Sequence, residues 1–441
     1  MTDPRILGTR QVIEGLLPGA TLEEADLSDV EFRESHRSRQ YSERRDFGTI
    51  LDRGTIYIWQ KLPDGRRHQF KIARSPIPIS KREREILLSF EKTQRGLFAS
   101  DKSRAAETTS RMASYNAFGN ILVSRYLRGH DAANFWTPNL VISELQALSL
   151  KRYEGNPCTS GIIFAREPEL VLKKLDPSIY SVEGLGDFVF DVGFFSAPPT
   201  FRYVDVKNAF YIVDNWRRVR GILRLRNPSA FSVYSRANFD HLDQLFAIPA
   251  GRMFVAAVGN HGYVTVQSRK KLQLRWQSMF WSASDQELFV EIIESFGLDH
   301  SLARKLTLCC LAISDMRFGA LLLIASKKDE RPVEAGNIGD EGVSGALKQY
   351  ARGKMLSELI DSNEAVGILT SDGLTTIDQA GRIVGAGEII NLQVDGVPRI
   401  SGGGRTQAAI AASKYGFAIK ISEDGPITLF KNGRLQMKFV R

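Results

Sequence analysis

The run ISGGGRTQAAIAASKYGFAIKISEDGPITLFKNGRL, residues 400–435, reads as a loop, a helix and a hairpin in one continuous stretch. Three glycines, Gly402, Gly403 and Gly404, let the backbone approach a ligand closely and reach conformations that other residues avoid. The RTQAAIAASKY segment behind them is rich in good helix formers. A helix start offers free N–H groups and partial positive charge, so the pattern predicts a phosphate cradle. Arg405 at that start can add a forked, charge-assisted contact, and FAIKISEDGPITLFKNGRL closes the unit as a β-hairpin.

Upstream, Asp372-Gly373 forms a turn between the apolar runs AVGIL and RIVGAGEIINL. A carboxylate there is suited to hold Mg²⁺ or Mn²⁺ bridging phosphate oxygens. Carboxylate, cradle and arginine thus fall on neighbouring loops of one small α/β unit. That set is what binding a nucleoside triphosphate with its metal requires.

In order and spacing, residues 315–441 resemble a diadenylate cyclase (DAC) domain, the module that joins two ATP molecules into cyclic di-AMP. The resemblance runs through Gly319-Ala320 in FGALLLIAS, then Asp372-Gly373-Leu374, then Gly403-Gly404-Arg405-Thr406-Gln407-Ala408-Ala409. It ends on Ser422-Glu423-Asp424-Gly425 and Asn432-Gly433-Arg434-Leu435. It implies catalytic roles for Asp372, Gly373 and Arg405, and nucleotide binding by Gly402, Gly403, Gly404, Arg405, Thr406 and Gln407. It also implies Mg²⁺ or Mn²⁺ on Asp372 and Glu423, with Asp424 the weaker alternative. Two such domains face each other in the family, so a homo-oligomer is expected.

The sequence departs from the family pattern at positions that matter for the chemistry. Leu374 replaces an alanine, and the family's Arg-His-Arg triplet is Arg405-Thr406-Gln407 here, one histidine and one arginine short. Thr406 and Gln407 still donate hydrogen bonds but carry no charge. Losing a cationic phosphate contact costs roughly 1.5–3 kcal/mol. A divergent cyclase therefore competes with a DAC-fold sensor that binds nucleotide without turning it over.

The 441 residues divide by pattern into a basic α+β segment (1–114), an α+β sensor-type region (115–285) and the DAC-like unit (286–441). The fold class is α/β: a mixed C-terminal sheet flanked by helices behind an α+β sensor region. TIYIWQKL and PDGRRHQFKIA read as a hairpin, residues 82–96 as a charged helix, and 99–114 as a linker or exposed helix. Strands are expected in FRYVDVK, AFYIVD, ILRLR, RMFVAAVG, GYVTVQ and LQLRW, a sheet over roughly 201–282, followed by helices in SDQELFVEIIESFG and SLARKLTLCCLAIS.

Net charge is +9. From Asp315 onward 16 Lys or Arg face 15 Asp or Glu, so the basic excess lies upstream. It gathers in RESHRSRQYSERR, KREREILLSFEKTQR and NWRRVRGILRLR, a footprint compatible with nucleic-acid contact at the basic N-terminal region. Asp205-Val206-Lys207, with Asp187 and Asp191 upstream, is the minimal pattern of a metal-dependent nuclease if it lies on a strand. Three cysteines, Cys158, Cys309 and Cys310, argue against a disulfide framework. No apolar run approaches the roughly 20 residues a membrane span needs. The start MTDPRILGTRQ lacks a signal-peptide profile, so a cytoplasmic protein without membrane contact is expected.

Overall fold

A computed structural model describes residues 4–24, 47–52, 55–61, 67–98, 110–128, 136–186, 188–246, 253–268, 272–327, 342–390, 392 and 403–440. The chain forms two compact units, Met1–Arg226 with Leu242–Asp285, and Asn227–His241 with Gln286–Arg441. The fold is mixed α/β. Among the described residues, no helix is long and apolar enough to cross a membrane.

In the first unit, the expected hairpin pairs Thr55–Lys61 with Arg67–Ala73 from Ile56↔Ile72 to Lys61↔Arg67. Thr21–Glu24 and Phe47–Asp52 complete a four-stranded antiparallel sheet. The charged helix runs Lys81–Phe98 and starts on a reciprocal cap. Ser80 Oγ accepts the Glu83 N–H at 3.1 Å, and Glu83 Oε2 accepts the Ser80 N–H at 2.7 Å. Glu83 also meets Arg74 at 2.6 Å, with both side chains 1% exposed. Arg74 further donates to the Ile77 and Pro78 carbonyls, so each charged group of this buried pair is satisfied.

A nine-stranded sheet holds the rest of this unit. Its order is Phe280–Asp285, Leu272–Gln277, Val264–Ser268, Phe254–Val258, Ser160–Phe164, Ala209–Val213, Arg218–Leu225 and Tyr180–Glu183, with Phe188–Val189 beside Arg218–Leu225. The sheet therefore begins forty residues before the expected 201. Ser160–Phe164 lies in its middle and pairs parallel to Ala209–Val213. Helices Ser110–Arg128 and Trp136–Ser149 lock together through a buried amide pair. Asn120 Nδ2 donates to Gln146 Oε1 (2.6 Å), and Gln146 Nε2 donates to Asn120 Oδ1 (2.8 Å). That same Asn120 oxygen accepts Trp281 Nε1–H at 2.9 Å.

The expected strand FRYVDVK does not form. Pro198 and Pro199 open a short helix, Pro198–Arg202, and the chain then turns at Asp205. One Asp205 oxygen accepts the backbone N–H groups of Lys207, Asn208 and Ala209, so local side-chain bonding displaces strand pairing. Residues 33–45, 62–66 and 99–109 lie outside the described residues.

In the second unit, a six-stranded mixed sheet is ordered Ile383–Glu388, Leu374–Ile377, Ala320–Ala325, Gly416–Ile421, Ile427–Lys431, Arg434–Val440. Ala320–Ala325 and Leu374–Ile377 run parallel, and the other described pairs are antiparallel. Both expected helices form, as Gln286–Glu294 and His300–Asp315. Cys309 and Cys310 are core filling: both are buried, and burial pushes the Cys310 thiol up to about 12. Helix Gly404–Ala412 packs Ala409–Ala412 on Leu321, Leu323, Ala418 and Phe430 of the sheet.

Candidate functional site

Three motif elements meet at one end of the second sheet because of its register. Ala320 is opposite Ile421 on the antiparallel neighbour, which places Gly319 beside Ser422-Glu423. Leu322 is opposite Thr375 on the parallel neighbour, which brings the Asp372-Gly373 turn to the same end. Helix Gly404–Ala412 begins there too. A Cβ added to Gly319 would fall on the Arg405 guanidinium, so any larger residue there would push that flexible group aside.

Arg405 donates from Nη1 to Glu423 Oε1 at 2.6 Å. The residue expected to hold phosphate and the one expected to hold metal are thus joined directly. The pair is open to solvent, with side chains 39% and 67% exposed.

The glycines divide into two kinds. Gly403 has φ −63 and ψ 160, extended backbone that any residue adopts, so it exercises no special freedom. A Cβ at Gly403 or Gly404 would meet nothing within 4 Å among the described residues. Among the described residues no side chain caps this helix, and the Gly404 and Arg405 N–H groups have no intrahelical acceptor. Gly373 differs, with φ 108, and a Cβ there would lie 2.6 Å from the Gly387 carbonyl carbon. Its requirement is the turn itself. Gly402 lies outside the described residues.

Asp372 is exposed, and among the described residues no hydrogen bond takes up its carboxylate. Thr406 accepts through Oγ1 from Lys420 Nζ at 2.8 Å, and the Thr406 and Gln407 N–H groups both reach the Gly403 carbonyl. Sequence reasoning did not single out Lys420. A charged residue at a half-buried strand position was the available signal. It also passed over Glu388, 2% exposed, which sits over Gly385 and meets Arg352 Nη2 at 3.2 Å.

Among the described residues, no three His, Cys, Asp or Glu converge as a metal cage. A nucleotide-bound Mg²⁺ needs less, one or two carboxylates plus the phosphates themselves. Asp372 fits that minimal demand. Glu423 gives one carboxylate oxygen to Arg405 and has a second one to offer.

The nuclease pattern is not assembled as a strand. Asp205 is engaged with its own turn, and Asp191 accepts from the Val192 N–H and from Arg217. Asp187 lies outside the described residues. In the NWRRVRGILRLR cluster, Arg217, Arg220 and Arg224 each meet a carboxylate: Asp191 (3.2 Å), Asp214 (2.7 Å) and Glu183 (3.1 Å).

No family model matches this chain, and no curated protein matches it. Among solved structures, a double mutant of DacA from Staphylococcus aureus is similar over 31% of this chain and 85% of that one, at 18% identity and TM-score 0.22. A hypothetical membrane-spanning protein from Bacillus cereus is similar over 35% of this chain and 71% of that one, at 19% identity and TM-score 0.24. At these scores neither likeness bears on function.

Proposed function

We propose that the second unit is a divergent diadenylate cyclase-like nucleotidyltransferase that condenses two ATP molecules, with the first unit as its sensor region. One observation carries the reading. Gly319, Arg405 and Glu423, far apart in sequence and each within a motif the resemblance names, meet at one sheet end beside the Asp372 turn.

In this reading Arg405 and the first N–H groups of helix Gly404–Ala412 hold phosphate oxygens. Glu423 occupies the guanidinium until a nucleotide arrives. Asp372 takes the proton of the attacking 3′-hydroxyl, whose oxygen bonds to the α-phosphorus of the second ATP as pyrophosphate leaves. A bound divalent ion would neutralise phosphate charge, with Asp372, and then Glu423, holding it. Positioning and charge neutralisation supply most of the rate. Two copies must face each other, so a single copy is inactive.

The test incubates the purified full chain with ATP and Mn²⁺ or Mg²⁺ and identifies products by chromatography and mass. Cyclic di-AMP that disappears in Asp372→Asn supports the reading. A nucleotide-dependent rise in melting temperature without product overturns the enzyme and leaves a DAC-fold nucleotide sensor. Neither product nor melting shift overturns both.

A further inference from the structure

Lys420 lies on strand Gly416–Ile421, where alternation puts it on the same face as Ala418. Ala418 is packed under helix Gly404–Ala412. A half-buried position of this kind normally carries an apolar side chain. Lysine there loses hydration, and its Nζ bonds the neutral Thr406 Oγ1 at 2.8 Å, in the helix's first turn. Arg405 and Lys438 both repel it, while Asp424 attracts it. Desolvation, like-charge neighbours and the positive end of a helix all oppose a cation at this place.

Lys420 therefore has two cations, Arg405 and Lys438, and one carboxylate, Asp424, as charged neighbours, while Glu423 meets Arg405. Among these described groups positive charge outnumbers negative by one, which leaves room for an anion. We propose that Lys420 is a phosphate-binding residue of the nucleotide site, supplying from the sheet the charge that Thr406 and Gln407 do not supply from the helix. This rests on the nucleotidyltransferase reading above. The anion is a nucleoside triphosphate, and Thr406 takes one proton of the ammonium, which has three to donate.

The test compares the full chain with Lys420→Met, Lys420→Arg and Lys420→Met/Gln407→Arg. Melting is followed without nucleotide, and ATP·Mg²⁺ affinity by calorimetry. Lys420→Met is expected to melt no lower than the wild type, since it removes an opposed charge, yet to bind ATP about tenfold or more weakly. Lys420→Arg retains most affinity, and Gln407→Arg, which returns a cation to the first turn, restores part of what Lys420→Met loses. Lower melting with unchanged affinity would make Lys420 structural and overturn the inference alone. A wild type that binds no ATP would overturn the nucleotide site and this residue's role with it.

Discussion

The two units each contain an Arg–Glu pair at 2.6 Å, and the pairs do opposite work. Arg74–Glu83 in the first unit has both side chains 1% exposed, whereas Arg405–Glu423 in the second has 39% and 67% exposed. Burial strips hydration from the first pair, so neither partner can leave without stranding a charge. Its remaining valences are filled by the Ile77 and Pro78 carbonyls and the Ser80 N–H. Water competes with the second pair at all times, and exposed pairs are worth about 0–1 kcal/mol. Equal length conceals this difference. The buried pair is a staple between the hairpin's end and a helix start. The exposed pair is cheap to open, which an anion site requires.

Removing the staple should produce the largest effect. Glu83→Ala is expected to destabilise the first unit by about 3–5 kcal/mol, because Arg74 stays buried without its carboxylate. All five tryptophans (Trp59, Trp136, Trp216, Trp276 and Trp281) lie in the first unit, so urea unfolding followed by tryptophan fluorescence reads that unit alone. A cost below about 1 kcal/mol would place the pair in the same class as Arg405–Glu423 and end the contrast.

A neutral buried network sharpens the comparison from the other side. Asn120→Ala strands the Gln146 amide and the Trp281 N–H, and should cost about 1–3 kcal/mol by the same fluorescence measurement. A loss as large as that of Glu83→Ala would mean that charge adds nothing to the penalty for orphaning a buried group.

Opening the exposed pair should have the smallest effect on stability. Glu423→Gln is expected to shift unfolding of the second unit by under about 1 kcal/mol in thermal scans. If Glu423 takes part in the proposed reaction, the same variant needs a higher Mn²⁺ concentration for half-maximal turnover. A metal titration unchanged from the wild type would confine Glu423 to holding Arg405.

Much of the fold was legible because it is written in local periodicity. The hairpin of Thr55–Lys61 and Arg67–Ala73 and the helices Lys81–Phe98, Gln286–Glu294 and His300–Asp315 follow from alternation or a 3.6-residue repeat. Ser160–Phe164 is wholly buried and has no alternation to read, so only composition could announce it, as it did for the equally buried Ala209–Val213 and Phe254–Val258 but not for SGIIF. Phe280–Asp285 escaped for a different reason. Its two-residue turn uses Ser278 and Met279, both at positive φ (51° and 72°), where Asn-Gly would have announced a hairpin. FRYVDVK misled because its β-rich composition lost to the backbone bonds of Asp205.

The candidate site divides along the same line. By itself the sequence determined the helix behind Gly403-Gly404, the strand and turn carrying Glu423, and the turn carrying Asp372, since each rests on residues within a few positions of one another. Only the tertiary structure decided that the Arg405 guanidinium lies over Gly319, that Glu423 occupies it, and that Lys420 reaches Thr406. Those contacts join residues 14 to 86 positions apart through sheet register and helix docking, and local pattern carries no information at that range.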